Sequence, residues 1–229
     1  MNLQKTRVRT GIPSLDDLLG GGFYSESINL IYGEAATGKT TLCLTTVFHH
    51  LSDNKSANAV YLDVDNKLNV NRFTKIAESQ GKNLLRRIQI FTPESYSRQG
   101  DALEKLPELI TGDLLVIDSV TGLYRGEIED AETTFRLNKE LNRQLGYLSE
   151  IAKTTGSTTL LTGQVRSTLG EGKIEPVAER LLQYWSETII RLEKSNNPAN
   201  RLAILEKPKE SKPPIILTIN ESGITEDQR

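Results

Sequence analysis

The chain has 229 residues, 37% hydrophobic and 25% charged, with a formal net charge of −2. This suits one α/β domain with a sizeable core and argues against a broad polyanion-binding surface, while leaving room for a local basic patch. No apolar run approaches the ~18 residues that cross a bilayer, residues 1–10 lack the apolar stretch of a secretory leader, and the lone Cys43 forbids an internal disulfide, so a cytoplasmic protein with no membrane partner is expected.

Residues 1–9 read as a polar tail. Residues 27–32 form a short buried strand, and residues 41–48 open a helix. Between them Gly33, Glu34, Ala35, Ala36, Thr37, Gly38, Lys39 and Thr40 spell GxxxxGK[ST], with Thr41 next. Strand, glycine loop and helix in that order turn successive N–H groups into one concavity, to which the helix N-terminus adds its positive end. Lys39 is placed to reach β- and γ-phosphates, and the Thr40 hydroxyl to join an Mg²⁺ shell. Cys43 falls in the following helix, where packing suits it better than redox chemistry. The adjacent His49 and His50 read as solvent-facing or helix-end residues.

Beyond the loop the pattern alternates as in parallel-sheet proteins. Residues 59–64 read as a buried strand and 70–80 as an amphipathic helix with Phe73, Ile76 and Ala77 on one face. A strand-like segment at 87–91 precedes a helix at 102–110, bent or shortened by Pro107. Residues 114–118 form another apolar strand. The longest helix covers 131–155, where Phe135, Leu137, Leu141, Leu145, Leu148, Ile151 and Ala152 recur as one buried stripe. Gly156 ends it. A strand at 158–162, a helix near 177–184 and β-rich segments at 187–192, 202–205 and 215–219 complete the chain.

Three strand ends carry candidate chemistry. Asp118 closes the 114–118 strand, and an acid held rigidly at the top of a sheet suits Mg²⁺ beside β/γ-phosphates. Asp63 and Asp65 end the 59–64 strand; either can orient or deprotonate an attacking water, or simply be a solvated turn acid. Gln164 follows the 158–162 strand, where a neutral amide can sense a γ-phosphate and pass its presence to the next loop.

The ordered set TGIPSLDDLLGGG, GEAATGKT, YLDVD, LLVIDS and LLTGQV resembles the RecA-fold recombinases, in particular the archaeal RadA/RadB group, over nearly the whole chain. The resemblance implies an α/β RecA-like P-loop NTPase core, with a mostly parallel central sheet flanked by helices and a β-rich C-terminal portion. It implies ATP and Mg²⁺ as cofactors, with Arg72 stacking on adenine. RadA-type enzymes carry an N-terminal DNA-binding domain and a polymerisation linker, and the roughly ten residues before this core suffice for neither. A single domain over 1–229 is therefore expected, similar to the short paralog RadB.

Two further departures bear on activity. The family's catalytic base is a glutamate where this chain has Asp65, and a carboxylate set back by about 1.5 Å costs on the order of 10²-fold in rate. Very weak ATP hydrolysis is therefore expected. The first DNA-binding loop corresponds to Arg125 followed by Glu127, Glu129, Asp130 and Glu132, acids that repel a phosphate backbone. The second offers Arg166, Lys173 and Arg180, with no stacking platform beyond Tyr184 and Trp185, both expected in the core. Lys207 and Lys209 resemble the bacterial RecA element that reaches a neighbour's γ-phosphate, so self-association is one option and a solvated basic turn another.

The resemblance and the departures together imply an ATP-binding DNA repair and homologous recombination protein. It resembles a RadB-type mediator or accessory of the strand-exchange recombinase, with weak, sequence-independent DNA binding and no efficient strand exchange. A RadA-type recombinase and a Holliday-junction-processing nuclease are the implied partners. An active DNA-dependent ATPase performing strand exchange is the alternative. So is a KaiC-like signalling ATPase, since TGIPSLDDLLGGG is shared with that group.

Overall fold

The computed structural model describes residues 6–110, 113–128, 130–167 and 174–227, with the backbone alone at 82, 166, 167, 174 and 175. A first short ribbon pairs β1 (Arg7–Val8) with β2 (Phe23–Tyr24) around helix α1 (Pro13–Leu19). Pro13 starts α1 with its φ already helical, and Gly20 ends it in the left-handed region. Buried Asp16 accepts from both the Thr10 backbone N–H, at 2.7 Å, and the Thr10 hydroxyl, at 2.9 Å. The segment at residues 10–22 thus holds its own fold through Asp16 and Thr10.

The central strands follow in the order β3 (Ser27–Gly33), β4 (Ala59–Asp63), β5 (Ile88–Phe91), β6 (Leu114–Asp118) and β7 (Thr158–Gly163). A two-stranded ribbon, β8 (Val165–Ser167) with β9 (Ile174–Pro176), stands apart. The chain then returns through β10 (Ser186–Lys194), β11 (Asn200–Lys207), β12 (Ile215–Asn220) and β13 (Gly223–Glu226). They form one nine-stranded sheet in the order β13-β12-β11-β10-β3-β7-β6-β4-β5. Neighbours from β10 to β5 are parallel, and β10 to β13 are antiparallel.

Alternation along each strand supplies two core layers. Leu114 and Val116 of β6, with Ala59 and Tyr61 of β4, share a layer with α2 (Lys39–Asp53) and α3 (Val70–Gln80), which α1 extends over β11 to β13. Leu115 and Ile117, with Val60 and Leu62, face α4 (Tyr96–Glu104), α6 (Ala131–Thr155) and α7 (Glu179–Trp185). Helix α5 (Gly122–Gly126) is a short turn after β6. Because β3, β4, β6 and β7 are parallel, their C-terminal ends meet at one edge. Ligands of open α/β sheets bind at such an edge.

Several expectations need correction. The helix placed at 102–110 begins earlier, at Tyr96, where the Ser95 side chain accepts from the Arg98 N–H; Pro107 sits instead in a separate 3-10 turn, Leu106–Glu108. Phe135 is 74% exposed, because it lies two residues and about 200° around α6 from buried Leu137, on the opposite face. Tyr184 is 75% exposed rather than in the core. Trp185 is half-buried, its indole donating to Asn142 Oδ1 at 2.9 Å. His49 and His50, by contrast, lie near the end of α2 as expected, half-buried there.

Candidate nucleotide site

The glycine loop joins β3 to α2, as its sequence requires. Gly33 has φ near 155°, and a Cβ there would stand 2.2 Å from the Leu192 carbonyl oxygen, so the close approach of β10 demands glycine. Thr37 braces the loop internally, its hydroxyl donating to the Glu34 carbonyl at 2.9 Å. The Lys39 ammonium donates to the carbonyls of Gly33 at 2.9 Å and Glu34 at 2.8 Å. Burial lowers its pKa, against the raising pull of Asp118 and Asp65, so an ammonium here gains from an added anion.

Asp118 is brought to this loop by strand order alone. Its Oδ2 accepts from the Thr40 hydroxyl at 2.6 Å and from the Tyr61 hydroxyl at 2.7 Å. Its Oδ1 accepts from the Thr162 hydroxyl. Tyr61 and Thr162 escaped the sequence reading. Register supplies them: Asp63 pairs with Asp118 two residues beyond Tyr61, and Ile117 pairs with Leu161 one residue before Thr162. Hydroxyl residues near neighbouring strand ends were the only signal. Cys43, buried in α2, has its thiol pushed up by burial and by Asp118, which fits packing.

Of the two acids at the end of β4 and just beyond it, only Asp65 faces the cleft. Asp63 is buried and closes its own turn, accepting from the N–H groups of Lys67 at 3.0 Å and Leu68 at 2.8 Å. Asp65 Oδ2 accepts from Gln164 Nε2 at 2.6 Å and lies 3.6 Å from Lys67 Nζ. A Cβ on Gly122 would come 1.9 Å from Asp65 Oδ1, so glycine at the start of α5 makes room for this carboxylate. Gln164 also donates to Ser119 Oγ at 3.3 Å and accepts from Arg125.

Lys39, Thr40, Asp65, Asp118, Arg125 and Gln164 therefore line one cleft of about 280 Å³. Arg125, expected at a DNA-facing loop, turns its guanidinium into this cleft. The acids after it have local work: Asp130 caps α6 by accepting from Thr133, and Glu127 accepts from the Tyr96 N–H. Glu129 and Lys173 lie outside the described residues. Arg166 has only its backbone described, in β8, and Arg180 is exposed on α7.

A second small cavity adjoins the loop on its other side, between Thr41, Arg72, Arg201 and Ile219. Arg72 Nη2 and Arg201 Nε are buried there without hydrogen-bond partners among the described residues. Arg201 Nη2 donates to the Ala36 carbonyl at 3.0 Å; β11 is too remote in sequence for this contact to have been foreseen. Lys207 and Lys209 stand elsewhere, around a cavity of about 710 Å³ beside Gln183. Lys207 Nζ donates to the Gln183 carbonyl at 3.1 Å.

These residues fit a magnesium-bound nucleotide. One carboxylate and one hydroxyl beside a phosphate cradle is the donor set of a cation that completes its shell with phosphate oxygens and water. The buried, unpartnered guanidinium nitrogens of Arg72 and Arg201 suit a polar heterocycle.

Comparison with known proteins decides the lineage. The Rad51 family model matches residues 3–227. The "DNA repair and recombination protein RadB" of Methanococcus maripaludis strain C5 is 35% identical over 199 residues, covering 86% of this chain and 89% of that protein. The chain belongs to the Rad51 family, in its RadB branch. The RadB of Thermococcus gammatolerans is 38% identical over 203 residues, covering 86% and 88%. The crystal structure of the RadB recombinase superposes with a TM-score of 0.79 at 31% identity, over 96% of this chain and 100% of that one. The RecA-like fold expected from the motif order is thus the fold observed. Among the described residues no helix is long and apolar enough to cross a membrane.

Proposed function

We propose that this RadB-branch protein binds ATP with Mg²⁺ in the cleft and acts in DNA repair by homologous recombination. In this role it is a mediator or accessory of the strand-exchange recombinase. The observation that carries the reading is the Asp118 carboxylate 2.6 Å from the Thr40 hydroxyl at the mouth of the glycine loop. Residues Gly33 to Thr41 and Lys39 Nζ hold the triphosphate, Thr40 and Asp118 hold the cation, and Arg72 with Arg201 receives the base. Magnesium, when bound, neutralises charge on the β- and γ-phosphates. Asp65 orients water poorly because its carboxylate is one methylene short and already engaged by Gln164, so hydrolysis is very weak.

Gln164 links Asp65 to Arg125, which couples the cleft to the segments that follow β6 and β7. Its neutral amide reports nucleotide state to the loop around Arg166 and Lys173. DNA binding is weak and independent of sequence, with Arg166, Lys173 and Arg180 as its cations. Lys207 and Lys209 serve a contact with a neighbouring subunit. The partners are a RadA-type recombinase and a Holliday-junction-processing nuclease, and the whole chain acts as one domain in the cytoplasm.

ATP turnover with and without single-stranded DNA, alongside calorimetric ATP binding, tests this role. Tight binding with near-zero, DNA-insensitive turnover is expected. Strong DNA-stimulated turnover with filaments visible by microscopy would show a strand-exchange enzyme instead.

A further inference from the structure

Helix α7 presents an aromatic ring that the nucleotide site leaves unused. Tyr184 is 75% exposed, yet it is not loosely hung. Its ring meets that of Trp185 edge-to-face, with centroids 5.1 Å apart and planes at 89°. The indole is anchored in turn, donating to Asn142 Oδ1 at 2.9 Å and packing over Gly146, where a Cβ would stand 3.2 Å from Cη2. Arg180 lies one turn earlier, exposed and at the i, i+4 spacing that shares a helix face. Lys207 Nζ sits on the Gln183 carbonyl at 3.1 Å, bringing a second cation to the end of the helix.

We infer that Tyr184, sharing its helix face with Arg180, is a stacking platform for an unpaired base of single-stranded DNA. This rests on the DNA-binding role proposed above and assigns it a site. An open ring face held rigid beside cations is what binds single strands, because every base offers a π-face and every linkage a phosphate. A duplex base is already stacked on both sides and gains nothing from Tyr184. A protein partner fits less well: interface anchors sit at the centre of apolar patches, whereas on α7 Tyr184 shares its face with charged Arg180, and Leu181 is packed against the core. The other exposed large apolar side chains, Val70, Ile90, Ile128, Phe135 and Ile216, belong to other elements.

The test is fluorescence anisotropy of a labelled oligothymidylate, and of a duplex of equal length, titrated with the full chain over a range of salt. Tyr184→Ala is expected to weaken single-strand binding about 5- to 150-fold with an unchanged salt slope and little effect on duplex. Tyr184→Phe retains affinity, and Arg180→Ala lowers the salt slope by about 0.7. Wild-type binding that Tyr184→Ala leaves unaltered, or weakens equally on duplex, overturns the platform while leaving the DNA role standing. A Tyr184→Ala variant that changes sedimentation but not DNA affinity overturns it in favour of a protein interface. Failure of the wild-type chain to bind either DNA at low salt overturns the DNA role itself.

Discussion

Asp118 gathers three hydroxyl donors from three elements, Thr40 on α2, Tyr61 on β4 and Thr162 on β7. Its carboxylate is thereby oriented toward the glycine loop in advance, which lowers the ordering cost of holding a cation there. Asp65 has no such shell. It hangs between Gln164 and Lys67, and its short side chain sets the distance to any attacking water. Restoring the missing methylene is therefore a direct experiment. Asp65→Glu is expected to raise ATP turnover about 10- to 100-fold with ATP affinity unchanged. Phosphate-release kinetics showing equal turnover in both proteins would mean that slow hydrolysis has another origin. The phosphate loop and Asp118 were legible in the sequence because loop and strand end are each contiguous. The hydroxyls around Asp118 were not, since each is set by the register of a strand far away in the chain.

Between α4 and α6 the helices are joined by a buried pair of amides. Gln99 Nε2 donates to Gln144 Oε1 at 2.8 Å and, more weakly, to the Val120 carbonyl at 3.4 Å. Gln144 continues to Glu140, which Arg143 holds bidentate. This chain of polar contacts ties both helices to the segment just after Asp118, in an otherwise apolar layer. Gln144→Leu leaves the Gln99 amide without its best partner, so a loss of about 1–3 kcal/mol is expected by urea denaturation; an unchanged midpoint would show that the amides are dispensable. The same two helices show where periodicity succeeds and fails. The stripe from Leu137 to Ile151 was legible because α6 crosses the sheet for most of its 25 residues. Phe135 stands two residues, about 200° around the helix, from Leu137 and so falls on the opposite face, which a tally of recurring apolar residues does not separate from the stripe. In α4 the boundary signal was Ser95, a cap that competes in sequence with the more conspicuous Pro107.

At the scale of the whole molecule, a single nine-stranded sheet carries apolar side chains on both faces. Two layers sharing one sheet unfold together, so one cooperative thermal transition is expected. Leu145→Ala, at a fully buried position, is expected to cost about 2–5 kcal/mol and to lower that transition by about 2–4 °C per kcal/mol. Two resolved transitions in scanning calorimetry would contradict a one-domain chain. Eight of the nine strands of the sheet and its parallel class were legible in the alternation of apolar runs with amphipathic helices, while the short β13 was not. The pairing of β3 with β7 rather than β4 was not, since nothing local encodes strand order, and it is this pairing that sets Gln164 beside the phosphate loop. The proposed mechanism depends above all on Lys39 and Asp118 completing one site for magnesium-bound ATP. Isothermal calorimetry of ATP with wild-type, Lys39→Ala and Asp118→Asn proteins, with and without magnesium, tests it most directly. Saturable wild-type binding, abolished by Lys39→Ala and made magnesium-independent by Asp118→Asn, is the expected result; unaltered affinity in Lys39→Ala would contradict it.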